Sequence, residues 1–106
     1  MAELNLEEQL NARLLNAVNQ AVNQGFNHPH NFTQMLANFG AIETVNRLLQ
    51  GNNIAQGLTR LWELQLLHLS MEAIILQEPY CQLFTPEQLQ IARTRLTDFK
   101  YQIPAN

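Results

Sequence analysis

Residues 57–76, GLTRLWELQLLHLSMEAIIL, form the most apolar segment of the 106-residue chain and contain its only tryptophan, Trp62. A segment this rich in leucine and isoleucine is stable in water only when other elements cover it, because burial of large apolar side chains is the main favourable term in folding. Trp62 shares a helical side with Leu58 and Leu61, so we expect it to be largely buried. Its replacement by alanine should then cost ~3–5 kcal/mol.

A long amphipathic helix is predicted over about residues 3–24. Leu6, Leu10, Leu14 and Val18 recur every four residues along one side of it. This stripe is longer than the short helices that follow can obviously cover, and an exposed apolar stripe is typical of a contact site. We therefore expect these four residues to form the interface of a homodimer. The alternative, that the stripe packs into the core of its own chain, stays open, because a strict spacing of four drifts around a helix.

Turn and capping residues divide the remainder, about residues 31–101, into short helices. Asn31 and Ser70 are suited to capping helix starts, and Thr85-Pro86-Glu87-Gln88 is a capping box with proline at the first helical position. Gly57 falls inside a predicted helix, which indicates close approach of another backbone. No stretch alternates long enough to predict a strand. The sequence thus predicts an all-α, single-domain, compact bundle of five to six helices, the later ones covering about residues 32–39, 41–50, 54–68, 71–77 and 86–99.

Composition argues against several classes of function. The net charge is −3 with six basic residues, whereas twelve Asn and twelve Gln keep the surface polar. Nucleic-acid binding is therefore not expected, since phosphate neutralisation needs clustered basic side chains. Apolar runs fall far short of the ~20 residues that span a bilayer. The acidic start does not resemble a signal peptide, and the lone Cys81 fits a reducing compartment, so we expect a cytoplasmic protein.

A helix-turn-helix over residues 32–49 is the alternative that would make the chain a DNA-associated regulator. Gly40 falls at the turn, with apolar residues at plausible spacing on both sides. However, Asn46 occupies a position that should be apolar, and the second helix offers only Arg47 as a basic side chain. The spacing therefore favours two packed helices joined by a glycine turn.

Three further groups of residues have side chains that could form a chemical site. His28, His30 and His68 do not have the spacing of a zinc site, so no metal or other cofactor is expected. Cys81 with His68 lacks the electropositive setting of a catalytic thiol, and no other nucleophile with its base is visible, so no catalytic residue is expected. Arg60, Glu63, His68 and Glu72 are the polar residues of the apolar segment. They are either the lining of a polar groove or have simpler structural roles. In the simpler reading, Arg60 and Glu63 form an ion pair on one helix, and Glu72 lies in the first turn of the next helix, where the helix dipole favours an acidic residue.

A distinctive pattern runs from about residue 26 to residue 101. Its residues are Phe32, Met35, Gly40, Glu43-Thr44, Arg47-Leu48-Leu49, Gly57-Leu58, Leu61-Trp62-Glu63, Leu69-Ser70-Met71-Glu72-Ala73, Leu76, Pro79, Leu83-Phe84-Thr85 and Ala92-Arg93-x-Arg95-Leu96. This pattern resembles a family of uncharacterised small bacterial helical domains. The family usually has a lysine before Arg47 and Arg-x-Asp ahead of the Leu-Ser pair, where this chain has Asn46 and Leu67-His68. The resemblance implies no activity or cofactor. The sequence predicts a non-enzymatic interaction or accessory module of the cytoplasm, and the resemblance implies that this cytoplasm is bacterial.

Overall fold

A computed structural model describes residues 4–51 and 55–102, except for the side chains of residues 55 and 56. These residues form five α-helices and two short 3₁₀ segments, with no strand among them. Their radius of gyration of 13.1 Å is that of one compact domain of about 100 residues. The prediction of an all-α single domain is confirmed. The helices are α1 (Leu6–Asn23), α2 (His30–Gln50), α3 (Ala55–Glu63), α4 (Met71–Ile75) and α5 (Pro86–Asp98), and the 3₁₀ segments are Leu67–Leu69 and Tyr80–Leu83.

Helix α1 begins at a capping box and ends at a glycine. The Asn5 side chain accepts a hydrogen bond from the Glu8 backbone N–H at 2.8 Å, and the Glu8 carboxylate accepts from the Asn5 N–H. Gly25, at φ +105°, ends the helix in a Schellman turn. The end predicted from Gly25 is therefore confirmed. The helix begins at Leu6, three residues after the predicted start at Glu3, which itself lies outside the described residues.

The apolar stripe of α1 lies in the core of its own chain. Leu10 and Leu14 are at most 1% exposed and Val18 is 9% exposed, while Leu6 is half-buried. Helix α1 packs against α2, α4 and both 3₁₀ segments, so its stripe is covered along its length. The prediction that these residues form an exposed interface between subunits is therefore wrong. The prediction assumed that the short helices could not cover all of α1, whereas α2, α4 and the two 3₁₀ segments cover its apolar side together.

Helix α2 consists of two helical parts separated by Gly40, which has φ +82° and ψ 171°. The predicted division into two helices at this glycine is confirmed. A carboxylate from α1 caps the start of the second part: Glu7 Oε2 accepts a hydrogen bond from the Ile42 N–H at 3.0 Å. The predicted Asn31 cap is wrong, because the helix begins at His30, two residues before the predicted start at Phe32. The Thr33 hydroxyl donates to the Pro29 and His30 carbonyls instead.

The apolar segment 57–76 changes direction in its middle. Helix α3 ends at Glu63, before the predicted end near residue 68, and its predicted start at Ile54 lies outside the described residues. After the turn, Leu66, Leu67 and Leu69 enter the core. Gly57 is exposed, and no described atom lies within 4 Å of a Cβ built on it, so the expected close backbone approach is wrong.

The later helix starts follow the sequence closely. The Ser70 hydroxyl accepts from the Ala73 N–H at 3.1 Å at the start of α4. Thr85 and Gln88 form a reciprocal capping box at the start of α5, with Pro86 in the first turn. Helix α4 ends two residues earlier than predicted, at Ile75. Helices α4 and α5 pack against each other. The end of α5 lies beside the end of α3, where the Phe99 and Trp62 rings are neighbours.

Candidate binding cleft

An open cleft of about 500 Å³ lies between the C-terminal ends of α3 and α5. The rings of one tryptophan, one phenylalanine and one tyrosine line it, together with two glutamine amides, one carboxylate and one ammonium group. It is therefore wide enough for a side chain of a partner and offers both apolar and polar contacts. The lining residues are Trp62, Glu63, Gln65, Leu67, His68, Phe99, Lys100, Tyr101 and Gln102.

Trp62 is the largest apolar side chain of this cleft, and it is half exposed at 50% of its surface. Its ring lies 6.0 Å from the Phe99 ring, centroid to centroid, at an angle of 42°. The sequence prediction of a buried Trp62 is wrong, because α3 ends one residue after it. The core positions that a longer α3 would have filled are occupied by leucines that follow the turn, Leu66, Leu67 and Leu69. An exposed indole beside a second aromatic ring is typical of a contact surface.

Both helices that border the cleft end in the same kind of turn. At the end of α3, the Leu66 N–H donates to the Leu61 carbonyl at 2.7 Å and the Gln65 N–H donates to the Trp62 carbonyl at 3.0 Å. At the end of α5, the Tyr101 N–H donates to the Leu96 carbonyl and the Lys100 N–H to the Thr97 carbonyl. These are the paired hydrogen bonds of a Schellman motif.

The left-handed position of each motif is occupied by a residue that is not glycine. Gln65 has φ +61° and Lys100 has φ +59°, and they are the non-glycine residues with positive φ among those described. The same position after α1 is Gly25. An L-residue in this conformation costs about 1–2 kcal/mol. The cleft thus has two residues with long polar side chains in an unfavourable backbone conformation. Strained backbone conformations of this kind cluster at functional sites, so their presence here indicates that the cleft is functional.

The predicted polar groove is only partly formed. Glu63 and His68 both line the cleft, and Arg60 contacts Glu63 through a long ion pair of 3.8 Å. Both members of that pair are about half exposed, so solvent screens it and it contributes little to stability. Glu72 does not belong to this cleft, because it is buried elsewhere with Arg95 as its partner.

The ion pair between Glu72 and Arg95 was not anticipated from the sequence. Arg95 Nη1 lies 3.1 Å from Glu72 Oε2, and both side chains are more than nine-tenths buried. Arg95 Nη2 also donates to three carbonyls at the C-terminal end of α2, those of Leu48, Leu49 and Gly51. Arg95 therefore joins α2, α4 and α5. The only sequence signal was an arginine late in α5, which the dipole of its own helix explains equally well.

A smaller groove of about 200 Å³ runs over apolar residues of α1, α2 and α3, with Glu72 and Arg95 among its lining residues. The charges of these two side chains are already satisfied by each other. The groove therefore offers a mainly apolar surface, although the Nε–H of the buried Arg95 side chain has no hydrogen-bond partner among the described residues.

The residues of the alternative DNA-binding motif are engaged within the chain. Arg47 Nε donates to the Glu43 carboxylate at 2.8 Å, and the Arg47 guanidinium lies 4.1 Å from the centre of the Phe39 ring. The Asn46 side chain accepts a hydrogen bond from Gln88 of α5. The one basic side chain of the second helical part is thus already paired. Three of the six basic residues of the chain, Arg47, Arg60 and Arg95, contact a carboxylate.

The histidines and the cysteine do not meet in one place. His28 and His30 stack at a centroid distance of 4.4 Å, whereas His68 lines the cleft. Within residues 4–51 and 55–102, no three His, Cys, Asp or Glu side chains are grouped as metal ligands. Burial raises the pKa of the Cys81 thiol above its ordinary value, and a hydrogen bond and the charge of Glu78 raise it further. Cys81 is therefore protonated and weakly nucleophilic at neutral pH.

No family model matches this chain, and comparisons with curated proteins and with solved structures find no match either. Across the part of the chain that the structure describes, none of the helices has the length and apolar character needed to cross a membrane.

Proposed function

We propose that this protein is a non-enzymatic interaction module of the bacterial cytoplasm that binds a partner protein through the cleft around Trp62. The observation that carries the proposal is the half-exposed indole of Trp62 beside Phe99. Tryptophan and tyrosine are enriched among the residues that contribute most to protein–protein binding. Covering the exposed part of this indole with a partner removes apolar surface from water, which favours binding.

The backbone conformation of Gln65 and Lys100 supports the same proposal. Glycine at either position would relieve the strain of a left-handed residue, as Gly25 does after α1. Both positions instead carry side chains that line the cleft. If a partner contacts the Gln65 and Lys100 side chains, their contribution to binding explains why the chain has these residues in place of the more stable glycine.

The charge distribution favours a protein partner over a nucleic acid. The chain has a net charge of −3, and the ion pairs of Arg47, Arg60 and Arg95 leave few basic groups for phosphates. Association with DNA through residues 32–49 remains the alternative hypothesis. It requires Arg47 to exchange its contacts with Glu43 and Phe39 for phosphate contacts.

Co-purification from the native cell with two matched variants tests the proposal. Trp62→Ser removes the indole of the cleft, whereas Ile91→Ser removes an apolar side chain of 39% exposure on α5, outside the cleft lining. We expect a defined partner, either another protein or a second copy of this chain, to be retained by Ile91→Ser and lost from Trp62→Ser. Equal retention by the two variants would remove the cleft from the proposal.

A further inference from the structure

We infer that the smaller groove, which runs over α1, α2 and α3, binds a small neutral molecule that is mostly apolar and carries a carbonyl oxygen. This groove shares no lining residue with the cleft around Trp62, so it is a second site that does not depend on the function proposed above. Three features of the groove support the assignment: its apolar lining, an arginine N–H group without a partner, and a helical glycine that faces open space.

The groove has the size and lining of a site for a small apolar molecule. Its volume is about 200 Å³, and most of its lining residues have aliphatic or aromatic side chains. A cavity of about 150 Å³ lined by apolar side chains holds benzene, so this groove can hold a molecule of roughly six to ten heavy atoms. Met71, which lines the groove, is flexible enough to adapt to the molecule that enters.

Arg95 brings a polar group without a partner to this apolar groove. Its side chain lines the groove and is more than nine-tenths buried, and its two Nη atoms donate to Glu72 and to carbonyls at the end of α2. The remaining N–H group, on Nε, is buried and has no hydrogen-bond partner among the described residues. A buried donor without an acceptor is unfavourable, so a bound molecule that places an oxygen there gains a hydrogen bond.

The charges around Arg95 favour an acceptor that is neutral. The Glu72 carboxylate lies 3.1 Å from Arg95 Nη1 and is also more than nine-tenths buried, so the pair has no net charge. A carboxylate ligand would bring an uncompensated negative charge into this buried setting, which is unfavourable. A hydroxyl would add a donor that needs an acceptor of its own. A carbonyl oxygen only accepts, and therefore matches the single free N–H group.

Gly57 indicates that the groove is kept open. It lies within α3 and lines the groove, and no described atom lies within 4 Å of a Cβ built at this position. Glycine makes a helix less stable than alanine does, although the space for a larger residue is present here. A side chain at this position would occupy part of that space and narrow the groove, so the glycine preserves room for a bound molecule.

The test uses the intact protein and three molecules of similar shape. Acetophenone has the carbonyl oxygen, α-methylstyrene has a CH₂ group in place of that oxygen, and benzoate has a charged carboxylate. Backbone amide NMR shifts locate the binding site, and the proton signal of the Arg95 Nε–H reports the hydrogen bond. We expect acetophenone to give saturable shifts at residues 17–21, 57–61 and 69–72 and to move the Nε–H signal downfield. α-Methylstyrene should leave the Nε–H signal without this shift, and benzoate should bind about tenfold more weakly than acetophenone.

A variant that fills the groove completes the test. Gly57→Leu should weaken acetophenone binding by about tenfold or more, because its side chain occupies the space of the ligand. Urea unfolding should show that this variant is folded, since no described atom lies close to its Cβ. Gln90→Leu, which adds the same side chain at an exposed position of α5 outside the groove lining, is the control and should leave binding unchanged.

Several results would overturn the inference: no saturable shifts with acetophenone, shifts outside the groove, tighter binding of benzoate, or unchanged binding in a folded Gly57→Leu variant. An Nε–H signal that does not move with acetophenone, or that moves equally with α-methylstyrene, would also overturn it. If Gly57→Leu does not fold, the Nε–H signal of the native protein decides. Co-purification with Trp62→Ser judges the function proposed above separately, because Trp62 does not line this groove.

Discussion

The Glu7 carboxylate accepts a hydrogen bond from the Ile42 backbone N–H at 3.0 Å, 35 residues further along the chain. Ile42 lies at the start of the second helical part of α2, where backbone N–H groups have no partner within the helix. Glu7 therefore acts as a helix cap supplied by another helix. It fixes α1 to the break at Gly40, where a Cβ would lie only 3.0 Å from Glu7 Oε2.

Two substitutions test this cap. Glu7→Ala should lower the free energy of unfolding by about 0.5–2 kcal/mol, the usual effect of losing a capping side chain. Gly40→Ala should lower it by at least about 1 kcal/mol, because alanine is strained at φ +82° and its Cβ contacts Glu7. Urea unfolding measures both changes. Glu8→Ala, which removes a cap within α1 itself, is the variant with which Glu7→Ala is compared. Equal stability of Gly40→Ala and the native protein would contradict this description of the break.

The strain at the cleft should be visible as a gain in stability when it is removed. Gln65→Gly and Lys100→Gly should each stabilise the fold by up to about 1 kcal/mol, because glycine adopts the left-handed conformation freely. Gln90→Gly, in the exposed middle of α5, should instead destabilise the fold by about 1 kcal/mol. Thermal unfolding of the three variants is the measurement. A loss of stability in both cleft variants would show that these two positions are not strained.

Arg95 should be among the charged residues most important to stability. Arg95→Met leaves the Glu72 carboxylate buried without its cation and removes the donor for three carbonyls of α2, so we expect a cost of about 3–5 kcal/mol. Glu72→Met combined with Arg95→Met should recover only part of this cost, because the carbonyls remain without their donor. Denaturant unfolding of the single and double variants decides between the two roles. Full recovery in the double variant would mean that the carbonyl contacts contribute nothing.

Trp62 should behave as a surface residue in spectroscopy and in unfolding. The native protein should show the red-shifted emission of an indole in contact with water, and acrylamide should quench it readily. Trp62→Ala should cost less than about 2 kcal/mol, since half of the side chain is already exposed. A blue-shifted emission with a cost of ~3–5 kcal/mol would restore the buried tryptophan that the sequence predicted.

The parts of the fold that were predictable are those with local signals. The Ser70 and Thr85 caps and the breaks at Gly25 and Gly40 depend on residues within a few positions of each other. Their chemistry can therefore be read from the sequence without knowledge of the packing. The all-α architecture follows from the same signals together with the apolar periodicity.

The candidate site was not predictable because its defining turn has no local signal. A helix end is usually marked by glycine, but Gln65 occupies that position after α3, and the apolar periodicity continues through it. Extension of the helix past Glu63 placed Trp62 in the core, whereas the turn gives the core positions to Leu66, Leu67 and Leu69. The Glu72–Arg95 pair joins residues 23 apart on different helices, which only tertiary packing brings together.

The central claim, that a partner covers the Trp62 cleft, is tested most directly by site-specific photo-crosslinking in the native cell. His68, an exposed residue of the cleft lining, is replaced by p-benzoylphenylalanine, and Gln20, exposed on α1, serves as the control position. We expect one discrete crosslinked product from position 68 that is absent from position 20 and lost when Trp62→Ser is added. No product from position 68, or the same products from both positions, would contradict the claim.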